Sequence, residues 1–334
     1  MLRPSRIIPA LAIAASMAIV SACSSQTDIA AGKSGAAADH AATNAEGAAE
    51  ADQAAENSAA AGQTTETPVS NMPDVTAVPE IVGDQIISTA KEEWAFTFTP
   101  DQQTIIFQRG TYYDYSLYES RLQDGVWSEP KPAEALNHKG ARDSDAFIVP
   151  DGSRIFFSSN RTTDGSVKED FDLWTAEKTD GGWSQPERLP DGINSESNEW
   201  LPSVAAGGNL YFESNRSGGA GDTDLYVARY KNGKYSQPEP LPAPINTKAA
   251  EESPFISPDE RYMIFQRGYS KLYFSRQEDG RWSEPEEIKL PDSSLKYSPY
   301  VTPDRTTLFY SSTERGTSDL YRVTISELNI RLPE

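Results

Sequence analysis

The sequence predicts an all-β fold: a five-bladed β-propeller of four-stranded antiparallel blades, closed by an N-terminal strand completing the last blade. Three observations carry this expectation. A unit of about 50 residues recurs five times after residue 75. Within each unit, short apolar strands alternate with Pro, Gly and Asp turns. The element that closes four of the units is missing from the C-terminal copy and has a counterpart near residue 80.

Each unit opens on a turn: Thr99-Pro100-Asp101, Val149-Pro150-Asp151-Gly152, Ser257-Pro258-Asp259 or Thr302-Pro303-Asp304, decayed in the third copy to Ala205-Ala206-Gly207-Gly208. An apolar strand follows (IIF at 105, IFF at 155, LYF at 210, MIF at 263, LFY at 308). A polar turn with an arginine comes next: Arg109, Arg161, Arg216, Arg267 or Arg315. A third strand carries LY or LW at 117, 173, 225, 272 and 320. Four copies then end in WSEP, WSQP, YSQP and WSEP at 127, 183, 235 and 282. Spacings of 50, 55, 53 and 45 residues between turns suit four short strands per unit, the size of a propeller blade.

The fifth closing segment is expected at the other end of the chain. VPEIVGDQIIST (78–89) is similar to the PEPLPAPINT that follows YSQ at 235. Residues 76–84 should therefore pair with 320–326, leaving no open sheet edge.

The run Pro150-Asp151-Gly152, Ser159-Asn160-Arg161, Asp172-Leu173-Trp174 and Gly182-Trp183-Ser184-x-Pro186 resembles the WD40-like, Pro-Asp-type β-propeller repeat of bacterial envelope proteins. That family includes the propeller of the Tol-system translocation protein. The resemblance covers about 250 residues and implies the fold; it does not imply a function, because propellers host binding, scaffolding and hydrolysis alike.

The N-terminus reads as a lipoprotein signal peptide (1–22). Arg3 and Arg6 precede an apolar run from Ile7 to Val20, too short for a comfortable membrane span. Val20-Ser21-Ala22-Cys23 resembles the bacterial lipobox, which implies lipidation of Cys23, the only cysteine. Ser24 is not the aspartate that retains such lipoproteins in the inner membrane. The expected location is thus the outer membrane, with the propeller facing the periplasm or the cell surface. Residues 23–74 are rich in Ala, Gly, Ser and acids, lack aromatics, and read as a disordered tether; the propeller is assigned to 75–334. The chain carries 50 acidic against 30 basic residues, a net charge of −20, which disfavours nucleic acid as a partner. The expected partners are the membrane, through Cys23, and an envelope protein or glycan; a monomer without cofactor or metal is expected.

Two regions invite a site. In the second and third units the Ser-Asn-Arg hairpin brings Arg161 toward Asp172 and Arg216 toward Asp224. These acids, with Asp170 and Asp222, suit either a calcium loop or an Arg–Asp pair pinning the hairpin. Replacement of the aspartate by Ser116 and Lys271 in other units favours the pair.

The second region is the channel mouth. The innermost strands begin at Glu93, Asp143, Glu199, Glu251 and Lys296, followed by Trp94, Ser144, Trp200, Glu252 and Tyr297. An antiparallel blade sets these beside Arg109, Arg161, Arg216 and Arg267. The expected ligand-binding set is Glu93, Trp94, Arg109, Asp143, Asp145, Arg161, Glu199, Trp200, Arg216, Glu251, Glu252, Arg267 and Tyr297. The competing expectation is that the acids and arginines form salt bridges between neighbouring blades. Aromatic faces beside carboxylates suit sugar or peptide.

Catalytic signatures are sparse. The two histidines, His40 and His138, fall in the tether and in a loop between blades, and no Gly-x-Ser-x-Gly, HExxH or P-loop motif is present. The sequence therefore favours a non-catalytic binding or scaffold module. The alternative is a glycoside hydrolase, which needs only two or three carboxylates, drawn here from Glu93, Asp143, Asp145, Glu199 and Glu251.

Overall fold

A computed structural model describes residues 77–111 and 113–334. The expected signal peptide, the expected tether and Cys23 lie outside the described residues.

Five antiparallel blades are present. Their three inner strands are Glu92–Phe98, Thr104–Gly110 and Tyr115–Gln123 in blade 1, then Asp143–Ile148, Arg154–Arg161 and Val167–Thr179 in blade 2. Blade 3 has Glu199–Val204, Leu210–Ser214 and Asp224–Ala228; blade 4 has Glu251–Ile256, Tyr262–Arg267 and Lys271–Glu278. Blade 5 has Lys296–Val301, Thr307–Ser312 and Asp319–Thr324. The innermost strands pack side by side in the order 1–2–3–4–5–1, so the ring is closed.

The outermost strand of each blade is short: Lys131–Pro132, Glu187–Arg188, Glu239–Pro240 and Glu286–Glu287 in blades 1 to 4. In blade 5 that place is taken by Glu80–Ile81, which pairs antiparallel with Arg322 and Tyr321 as the sequence predicts. The N-terminal segment supplies more than a strand. In blades 1 to 3 an asparagine in the outgoing connection (Asn137, Asn194 or Asn246) accepts the amide and donates to the carbonyl of Leu117, Leu173 or Leu225. Ser88 takes the same position in blade 5, accepting the Leu320 amide at 3.1 Å.

The repeated motifs have local reasons. In the Pro-Asp turns, Asp101, Asp151, Asp259 and Asp304 accept the amides of Gln103, Ser153, Arg261 and Thr306 at 2.9–3.1 Å, which closes the turn without a second strand. In the Trp/Tyr-Ser-x-Pro tails, Ser128, Ser184, Ser236 and Ser283 accept amides from the third strand or the residue just after it (Arg121, Glu177, Arg229 and Arg276) at 3.0–3.1 Å. The decayed third turn lacks its aspartate and is propped from the next blade. Glu260 accepts Asn209 Nδ2 at 2.9 and 3.0 Å and the Tyr211 hydroxyl at 2.6 Å.

The channel is not open throughout. Phe98, Phe255, Tyr300 and Phe309 pack ring against ring, with centroids 4.8–5.6 Å apart, and with Phe147 they belong to one buried core. This aromatic plug separates two depressions that share Phe147, Phe255 and Tyr300 as a common wall.

Candidate functional site

The structure sets the repeated acids beside the repeated arginines, but within each blade and not between neighbouring blades as the competing expectation held. Glu93 faces Arg109 and Glu251 faces Arg267 across the first two strands, each pair at 2.8 Å. In blades 2 and 3 the acid faces Ser159 or Ser214, and the arginine two residues later turns back to it. Asp143 pairs with Arg161, and Glu199 with Arg216 at 2.9 Å.

Every one of these groups is fully engaged. Glu93, Asp143, Glu199 and Glu251 are completely buried. Each also accepts from the connection that precedes its blade: Glu93 from Thr89, Asp143 from the His138 amide, Glu199 from Ser195 and Glu251 from Thr247. The arginines donate in turn to carbonyls of the same connections: Ile86 and Ile87, Leu136, Ile193, and Pro244 and Ile245. Each guanidinium also lies over two rings, one from the second strand and one from the third. The pairs are Phe107 and Tyr118, Phe157 and Trp174, Phe212 and Tyr226, and Phe265 and Tyr273, at 5.1–5.5 Å. Burial pushes the carboxyls of Glu93 and Glu199 up, against the hydrogen bonds of Thr89 and Ser195 and the charge of the arginines. This clamp fastens each blade to the connection entering it. In blade 5 Lys296 replaces the acid and binds Asp292 at 2.8 Å, the inverse polarity.

The Arg–Asp pairing expected across the hairpins does not form. Asp172 is held by Lys168 and Arg188, at 2.7 and 2.8 Å, and Lys168 also pairs with Asp170. Asp224 accepts the Gly221 amide at 3.1 Å, because Arg216 is already committed to Glu199.

One register beyond the clamp the blades cease to be alike. Each innermost strand carries a bulge whose residue has positive φ: Ala95 (45°), Asp145 (56°), Leu201 (47°), Ser253 (52°) and Ser298 (48°). These five residues line the smaller depression, of about 30 Å³, on the mouth side of the plug. Asp145 lines it, and two further carboxylates without a basic partner stand behind its Ser253 wall: Glu213, bonded to the Ser253 amide, and Glu252, next to Ser253 in the chain. Asp145 receives the Ser144 hydroxyl at 2.9 Å and the Leu201 amide of the next blade. Glu213 accepts the Ser253 amide of the next blade at 2.7 Å. Glu252 accepts no hydrogen bond among the described residues although it is 9% exposed.

Burial raises all three: Asp145 to about 6, Glu252 to about 7, and Glu213 well above the carboxylate range. Glu213 is raised further by the charges of Glu252 and Asp145, so the three share one electrostatic environment. Glu213 was not expected from the sequence. It occupies the row filled elsewhere by Gln108, Ser158, Gln266 and Ser311, and that break in the repeat was the available signal.

Trp94 and Trp200 are half-buried, the first edge-on to Tyr115 at 5.8 Å and the second against Phe171 of blade 2 at 6.0 Å. Tyr297 is also half-buried and its hydroxyl meets that of Ser318. Tyr269, in the turn after the second strand of blade 4, stands within the field of Glu252, Asp222 and Glu213. Across the plug, on the face of the Pro-Asp turns, lies a larger basin of about 240 Å³. Its wall is mainly apolar, with Phe98, Phe147, Phe255, Tyr262 and Tyr300 among prolines, and Asp259 and Arg305 at its polar edge. No single repeat signals this basin, because blade-turn residues from four separate units converge on it.

Among the described residues no group of three or more acid, histidine or cysteine side chains is arranged to hold a metal ion.

No family model and no curated protein sequence matches the chain. Among solved structures it is similar to TolB from Acinetobacter baumannii (14% identity, TM-score 0.45), covering 70% of this chain and 54% of that one. The chain thus spans about half the length of that protein. It is also similar to a putative TolB from Agrobacterium tumefaciens (18% identity, TM-score 0.44, 66% of this chain and 70% of that one). A thermostable family-43 glycoside hydrolase gives 12% identity and a TM-score of 0.49, over 75% of this chain and 96% of that one.

Proposed function

We propose that the protein is a lipid-anchored envelope module that binds an envelope protein or a glycan, without chemistry, through the mouth of its propeller. One observation carries this reading: Asp145, Glu213 and Glu252, which have no basic partner, lie one register beyond the clamp, where the five blades carry different residues and half-buried Trp200 faces Glu213 across the strands. The repeated acids and arginines are spent on the clamp, so recognition falls to the residues that break the repeat. The anchor is Cys23, and the outer membrane is the proposed site of attachment.

The test is capture of envelope components by crosslinking and pull-down with the full-length lipoprotein, alongside a glycan array. Trp94→Ala and Trp200→Ala should each weaken capture of the same component at least tenfold while the thermal transition is retained. Undiminished capture by both variants would overturn the reading.

A second reading, glycoside hydrolysis, is favoured by the raised carboxyls of Asp145 and Glu252, since a general acid must hold its proton near neutral pH. It no longer draws on Glu93, Asp143, Glu199 or Glu251, each of which is bound to arginine. Release of reducing sugar that vanishes in Glu252→Gln would establish it in place of the first.

A further inference from the structure

The polar groups around the smaller depression are short of donors. Glu252 receives none, and Glu213 receives a single backbone amide. Asp145 receives only neutral donors, serine hydroxyls and the Leu201 amide. The Ser298 hydroxyl, 7% exposed, lines the same depression as Asp145 and has no partner among the described residues. Gln108, 1% exposed and in the same row as Glu213, has an unpartnered side-chain carbonyl. The deficit is specific, because the clamp acids one register away each receive three donors or more, including an arginine.

Buried acceptors without donors cost free energy unless a partner supplies them. The missing partner must be positively charged, because Glu213 lies in the field of both Glu252 and Asp145 and no basic side chain offsets them, and rich in N–H groups. It must also be small, because about 30 Å³ admits one group the size of a water molecule or an ammonium head. Trp200 pairs across the strand with Glu213, and Tyr269 stands in the field of Glu213 and Glu252, so aromatic surface flanks the acids. Carboxylates flanked by aromatic faces are the arrangement that recognises an alkylammonium.

We infer that the mouth depression is a receptor for a protonated primary amine, whose ammonium group docks against Asp145 and Ser298, with the carboxylates of Glu213 and Glu252 behind the Ser253 wall. This rests on the reading of the mouth as the binding face and narrows the ligand: the bound element is a lysine side chain of a partner or a free amine, and not a neutral sugar. The titratable groups facing the site are Asp145, Glu213 and Glu252, with Glu251, Asp222 and Tyr269 beside them. Binding of a cation requires ionised acids, so affinity should rise with pH through the range from about 6 to about 7.

The experiment is calorimetric titration of the full-length lipoprotein with Nα-acetyl-lysine methylamide, with cadaverine, and with the Nζ-acetylated lysine as the uncharged control. At pH 8 both amines should bind saturably and the acetylated control at least tenfold more weakly; at pH 5 the amines should lose at least tenfold. Glu252→Gln and Glu213→Gln should each lose at least tenfold at pH 8, whereas Glu286→Gln, on the outer strand, should change nothing. A preference for the lysine derivative over cadaverine would assign the site to a protein partner, and the reverse order to a free amine.

Equal binding of the acetylated control overturns the proposal with the wild-type protein alone, whatever the folding of the variants. Absence of amine binding, with Trp200→Ala still reducing partner capture, would sink the amine receptor and leave the binding module standing. Amine binding with undiminished capture in the tryptophan variants would do the opposite.

Discussion

Thr89 donates both its amide, at 3.0 Å, and its hydroxyl, at 2.7 Å, to the buried carboxylate of Glu93. The two residues serve different blades, since Thr89 follows the segment that completes blade 5 and Glu93 opens blade 1. The ring is therefore closed twice, once by the ladder at Glu80–Ile81 and once by the clamp.

The clamp should outweigh the visible surface ion pair at the same seam. Glu93→Gln leaves Arg109 buried beside a neutral amide, and breaking a buried pair in this way costs about 3–5 kcal/mol. Glu80 and Arg322 also form an ion pair, at 2.7 Å, but their side chains are 64% and 54% exposed, and Glu80→Gln should cost less than about 1 kcal/mol. Urea denaturation of the two variants, side by side, checks the order; equal losses would show that the clamp is not what holds the seam.

Ser88 joins the closing segment to the third strand of blade 5 through the Leu320 backbone, the place held by asparagine in blades 1 to 3. Ser88→Ala leaves a buried amide without its acceptor, at a cost of about 1–3 kcal/mol. The expected outcome is a lower midpoint of unfolding, with hydrogen exchange at Leu320 accelerated before exchange in blade 3.

The buried acids make a pH prediction with a definite sign. Asp145 titrates at about 6 in the fold against 3.8 for an ordinary aspartate, so the folded chain binds the proton more tightly than the unfolded one. Its neutral form supports the fold fully below pH 3.8, and this support is lost as pH rises through about 6. Asp145→Asn removes the penalty and should stabilise the protein at pH 8 by an upper limit of about 3 kcal/mol. At pH 4 the difference from wild type should have largely closed. Denaturation between pH 4 and 8 measures it, and a gap that does not change with pH would refute the assignment.

The plug gives a packing prediction. Tyr300 touches Phe96, Phe98 and Phe255 and separates the two depressions. Truncating a buried aromatic to alanine costs about 3–5 kcal/mol, and Tyr300→Ala should do so while joining the mouth to the basin. Solvent quenching of tryptophan fluorescence and denaturant midpoints read the two effects.

The repeat, blade count and closing strand were legible because each is a local pattern copied several times. Ser-Asn-Arg could be aligned by eye, and so could the likeness of 78–89 to the segment after Tyr235. The register also set the repeated acids beside the repeated arginines, but did not show that each pair closes within one blade and leaves the hairpin aspartates to other partners. Asp172 and Asp224 are near Arg161 and Arg216 along the chain, whereas Asp143 and Glu199 reach them only through the strand register. Glu213 is hidden for a related reason: in LYFES it reads as one polar residue in a buried strand, and only the ring brings it into the field of Asp145 and Glu252. The basin on the turn face depends on four units converging, which no single unit encodes.

The glycine-rich hairpin of blade 3 tests how much of its composition is steric. A Cβ on Gly221 would meet the Ala249 carbonyl oxygen at 2.2 Å and the Thr247 carbonyl oxygen at 3.0 Å, both backbone atoms of the connection that carries the Glu251 clamp. That connection cannot yield without loosening Thr247 from Glu251, so Gly221→Ala should cost about 2 kcal/mol or more, as overpacking of a fixed backbone does. Gly207, in the decayed turn of the same blade, has open space at its Cβ and no positive φ, so Gly207→Ala should be neutral or slightly stabilising. Thermal unfolding of both variants gives the comparison. If Gly221→Ala unfolds with wild type, the hairpin's glycines serve only to reverse the chain, and its close approach to the blade 4 connection contributes nothing.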